Sequence, residues 1–156
     1  MGNLNPLGLT RRSFVAVSSA LFVVAALPQK IWAAALRPET AFQATTLEAT
    51  FEALGGAPTV SDGIVFSTPD IAENGAVVPL GASTTLAGVK HMLVLVEKNP
   101  SALIAMFHVS DVVDANFLTR AKMGQSSDVY AVAIMADGKA LFAKKEVKVT
   151  LGGCGG

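Results

Sequence analysis

One residue in this chain is able to do covalent chemistry. Cys154 is the only cysteine, and it lies two residues from the carboxyl terminus within Gly152-Gly153-Cys154-Gly155-Gly156. A catalytic cysteine gains its thiolate from a fixed pocket, a neighbouring His base or a helix N-terminus. Cys154 has none of these in sequence reach, and the terminal carboxylate close by disfavours a second negative charge. The glycines on either side, Gly152, Gly153, Gly155 and Gly156, carry no side chain to pack and impose little backbone stiffness. The expected object is a flexible arm of five residues, extending at most about 17 Å. Such an arm holds a bound group on sulfur and presents it to several partners in turn. It is a carrier's device, with the reactivity supplied by the partner's site.

Other chemistries find little support. His91 and His108 are the only histidines, and both fall inside expected strands, where a packing or surface role is the default. Two histidines and one cysteine match no zinc-finger or ribbon spacing. No serine nucleophile elbow, phosphate loop or paired-carboxylate site stands out, so no catalytic residue, cofactor or metal is expected. A thiol-redox protein or peroxidase would need a second cysteine. An interaction or assembly domain whose tail merely docks in a partner would leave Cys154 incidental or regulatory. A diglycine carrier of the ubiquitin-like kind would hold sulfur on its terminal carboxylate and need ATP-dependent activation.

The arm must be mounted on something rigid. Leu47, Phe51 and Leu54 recur at helical spacing with Glu48 and Glu52 turned away. Thr45 or Thr46 serves as N-cap and Gly55-Gly56 ends the helix. Beyond it the period shortens. Strands are expected at 64–66, 76–80, 89–96, 103–109, 117–122, 129–135 and 140–151. Pro79 makes the second irregular, and the third is apolar on both faces. Asp137-Gly138 marks a hairpin turn before the last strand. About seven strands with short connections and no helices between them argue an all-β, immunoglobulin-like antiparallel sandwich. The domain is expected to span residues 36–151, with the arm at 152–156.

The first 35 residues read as an export signal. Arg11-Arg12 precede an apolar run from Phe14 to Leu27, and Ala33-Ala34-Ala35 offers a small-residue cleavage site. Adjacent arginines indicate the twin-arginine route to the periplasm. The run is too short for a membrane span of roughly 20 residues, so no stable anchor is expected after cleavage. Removal of residues 1–35 leaves 121 residues with nine basic and twelve acidic side chains, a net charge of −3. The one basic cluster, Lys144, Lys145 and Lys148, is interleaved with Glu146 and reads as a solvated strand face. Nucleic-acid binding, which needs clustered cations, is not expected. An unpaired cysteine in an oxidising compartment suggests a reactive thiol or intermolecular pairing.

The same residues resemble the SoxY family, the sulfur-carrying subunit of the periplasmic SoxYZ complex in bacterial thiosulfate oxidation. The terminal Gly152-Gly153-Cys154-Gly155-Gly156 matches the family's carrier motif. Pro69-Asp70-Ile71-Ala72-Glu73-Asn74-Gly75-Ala76-Val77-Val78-Pro79 resembles its Pro-x-Ile-Ala-Glu-Asn-Gly-Ala-x-Val-Pro segment. Asp137-Gly138 and Val147-Lys148-Val149-Thr150 fit the run into the tail. The resemblance implies that Cys154 is the covalent attachment point for sulfur intermediates and that the chain is not an enzyme. It implies a heterodimer with a SoxZ-like subunit. It also implies service to a SoxAX-type haem enzyme, a SoxB-type hydrolase and a SoxCD-type dehydrogenase. The SoxZ-like subunit would cover a hydrophobic face, which suits residues 89–96 and 103–109, and a well-filled core accounts for those runs equally well. Glu73 and Asn74 suit either turn chemistry or a partner contact.

Overall fold

The computed structural model describes residues 38–150. These residues form a β-sandwich, as expected, with helices on its outer side. The first helix, α1, spans Glu39–Gln43, and α2 spans Leu47–Ala53. Thr46 caps α2, its hydroxyl accepting from the Ala49 amide at 3.2 Å. The sequence pointed to one helix here; α1, at five residues, is too short to show a period.

Nine strands follow among the described residues: β1 Thr59–Val60, β2 Ile64–Ser67, β3 Ile71–Ala72, β4 Val78–Thr84, β5 Val89–Val96, β6 Leu103–His108, β7 Asn116–Ala121, β8 Ser127–Met135 and β9 Ala140–Val149. One sheet has the order β1-β9-β8-β5-β6, with β3 also on β9, and the other β2-β4-β7. Strands at all seven expected places form. β4 runs on to Thr84, further than predicted, because Ser83 and Thr84 pair on both sides or cap the ladder. Pro79 is tolerated where β4 has passed the end of β2 and pairs only with Arg120 of β7. The β8–β9 hairpin turns at Gly138, whose φ of 85° is the left-handed conformation that glycine adopts without strain.

One expectation needs correction. The sandwich is not wholly antiparallel: β1 and β3, each of two residues, run parallel to β9. Segments that short carry no alternation, so only the long-range pairing reveals them.

Three layers explain the apolar excess. Between the sheets lie Ile64, Val78, Leu80 and Ala82 from the small sheet, facing Met92, Val94, Val96, Val129, Ala131 and Val147 from the large one. On the other face of the large sheet, Leu93, Leu95, Tyr130 and Val132 pack with Ala41 and Leu47 of the helices. β5 is therefore apolar on both faces because it is the middle of a sandwich within a sandwich. Of the two readings of residues 89–96, this position favours the well-filled core over a partner face. Phe107 and Phe117, stacked at 4.5 Å between ring centres, bring β6 and β7 together across the two sheets.

Candidate functional site

Cys154 and its glycines lie outside the described residues, as does the export segment. The structure does describe β9, the last strand before them, and its contacts among residues 38–150.

β9 ends in a clamp built by residues 68–76. The parallel pairing of Ile71 with Lys148 and of Ala72 with Val149 lays β3 along the last turn of the strand's ladder. The Lys148 amide donates to the Asp70 carbonyl at 2.9 Å, and the Thr150 amide to that of Ala72 at 3.1 Å. The Thr150 hydroxyl donates to the same Ala72 carbonyl at 3.3 Å. On the opposite edge the Val149 amide donates to Ser126 Oγ at 2.9 Å. Lys145 reaches from β9 to Asp70, 2.7 Å away, and also donates to the Thr68 carbonyl. That ammonium, hydrogen-bonded to Asp70, holds its exposed carboxyl below the usual range.

The turn after β3 is packed without slack. Asn74 Oδ1 accepts from the Ala76 amide at 2.9 Å, closing an Asx turn. Gly75 lies so close to the Met123 carbonyl and to Val149 that a Cβ has no room there. The Met123 amide in turn donates to the Gly75 carbonyl at 2.6 Å. Of the two residues whose role was open, Asn74 does turn chemistry. Glu73 points no hydrogen bond into this turn and is exposed. Sequence reasoning flagged the segment as a motif but had no signal for what it clamps, since its contacts span over seventy residues.

The basic cluster is dispersed. Lys144 pairs with Asp128 at 2.9 Å in solvent, Lys145 belongs to the clamp, and Lys148 is exposed. The two histidines are brought together far from the end of β9. They pair directly across β5 and β6 with ring centres 4.7 Å apart, at the opposite end of the sheet from Val149. His91 Nδ1 is buried with no hydrogen-bond partner. Burial first, then the charges of His108 and Lys90, push His91 below its ordinary pKa. Among the described residues no three His, Cys, Asp or Glu side chains gather as a metal site. No helix among them is long and apolar enough to cross a membrane.

Comparison with known proteins agrees with this architecture. The family model described as sulfur oxidation protein SoxY matches residues 51–154, a span that runs through the clamp to Cys154. The solved sulfur carrier protein SoxY from Chlorobium limicola f thiosulfatophilum is 31% identical, with a TM-score of 0.59 over 66% of this chain and 94% of its own. The superoxide reductase (neelaredoxin) from Ignicoccus hospitalis aligns over 64% of this chain and 98% of its own, with a TM-score of 0.54. At 12% identity it shares the sandwich and nothing further. No curated protein matches the chain. With a family match covering two thirds of its length and a sandwich like that of a solved member, the chain belongs to the SoxY family of sulfur oxidation proteins.

Proposed function

We propose that this protein is a periplasmic covalent sulfur carrier whose only reacting atom is Cys154 Sγ. The observation that carries the reading is the family match running through the single cysteine of the chain. The clamp supports it: a strand held on both edges up to Thr150 gives a fixed origin to a tail whose glycines hold nothing.

The chemistry asks little of the carrier. The Cys154 thiolate and thiosulfate lose two electrons to a SoxAX-type haem enzyme, forming a sulfur–sulfur bond and a cysteine S-thiosulfonate. Water, placed by a SoxB-type hydrolase, then breaks the bond to the terminal sulfone. Sulfate leaves with two protons released, and a persulfide remains on Cys154. A SoxCD-type dehydrogenase oxidises that remaining sulfur further. A SoxZ-like subunit completes a heterodimer. The protein reaches its compartment by the twin-arginine route, with cleavage near Ala35.

Cys154→Ser tests this. The variant is expected to melt like the parent and to abolish thiosulfate-dependent sulfate formation by the complete system. A variant that still supports sulfate formation overturns the carrier reading in favour of an assembly role.

A further inference from the structure

We propose that the lip formed by Ile71, Glu73 and Val77 is the surface on which enzymes acting on Cys154 dock. The inference rests on the carrier reading and adds where its partners must touch.

The first argument is length. Three residues separate Thr150 from Cys154, so four residue steps give a reach of at most about 14 Å at full extension. Thr150 is fixed to Ala72 by its amide and its hydroxyl, so the arm leaves the sandwich beside Glu73. An enzyme whose reacting atoms lie at the bottom of a cleft of that depth cannot reach the sulfur without its rim meeting residues 71–77. The leash is too short for the folded body to stay clear.

The second argument is the surface itself. Ile71 is 57% exposed and Val77 52% exposed, two of the large apolar side chains that the fold leaves in water. Ile71 faces outward because Ala72, its neighbour on β3, is the buried one. Intramolecular packing gives no reason for an isoleucine there. Glu73 lies between them, exposed, and Lys148 stands beside Ile71 in register. The lip is also held still: the Asx turn at Asn74, the close approach of Gly75 to Met123 and the Asp70–Lys145 pair all fix it. A rigid, apolar lip with one acid and one base suits the mouth of an enzyme cleft that is itself apolar and oppositely charged at its rim. The occupant is thus a transient catalytic partner.

The test uses the full chain in its sulfur-oxidising system. Ile71→Asp and Val77→Asp are expected to lower kcat/KM for the carrier about ten-fold each, through KM. Melting temperature and the rate at which iodoacetamide alkylates Cys154 should stay unchanged. Should either aspartate variant lose stability, Glu73→Lys, a charge reversal in water, gives the same readout. Six extra Gly/Ser residues inserted after Leu151 should restore turnover to the aspartate variants, because the rim then no longer has to meet the lip. Unchanged turnover in the lip variants overturns the proposal, and so does failure of the longer arm to rescue them. Loss of a stably co-purifying subunit in place of the KM effect also overturns it, since the lip would then be a permanent interface. Cys154→Ser, inactive in both arm lengths, keeps the two claims apart: activity there would sink the carrier reading instead.

Discussion

Single side chains report on different parts of the molecule. Tyr130 is the only tyrosine of the chain, so its ionisation is read without overlap. Its ring packs against Phe51 and Phe142, and its hydroxyl donates to Glu97 at 3.0 Å. Burial first, and then the Glu97 carboxylate, push its pKa up to about 12. A phenol harder to ionise when folded adds stability that is complete below pH about 10 and disappears as pH rises toward 12. Ultraviolet titration of the native protein should therefore show the phenolate forming about two units above the unfolded chain. A native inflection near 10 would mean that the helices do not cover this face. Cys154, outside the described residues, was legible only as a candidate, from residue type and neighbours. The clamp residues Asp70, Ser126 and Lys145 were not, because a hydrogen bond across a fold leaves no local pattern.

Among elements, β3 holds the end of β9. Long strands announced themselves by alternation or by continuous apolar runs, and β5, β8 and β9 fell where expected. β1, β3 and α1 did not, since two or five residues cannot establish a period. Gly75 gives the sharpest test at this scale. Gly75→Ala forces a methyl against the Met123 carbonyl and Val149, and overpacking of this kind costs about 1–3 kcal/mol. The expected outcome is a lower denaturation midpoint, together with faster hydrogen exchange at the Val149 and Thr150 amides than at β5. An alanine variant with unchanged midpoint and unchanged exchange would show that residues 70–76 do not clamp the strand.

At the largest scale, the described residues form a sandwich of two sheets with helices packed on one outer face. The sandwich class was readable because its two-layer core needs alternation. The third layer was harder to see: continuous hydrophobicity in β5 reads equally as a partner face or as a strand packed on both sides. Leu93 and Leu95, against the helices, and Met92 and Val94, against the small sheet, decide for the second. The most direct measurement is the mass of the C-terminal peptide of protein purified from its host during growth on thiosulfate. Reductant-labile additions of about 32 and about 112 mass units on Cys154, a persulfide sulfur and a thiosulfate, are the expected result. A uniformly free thiol under those conditions would contradict the account.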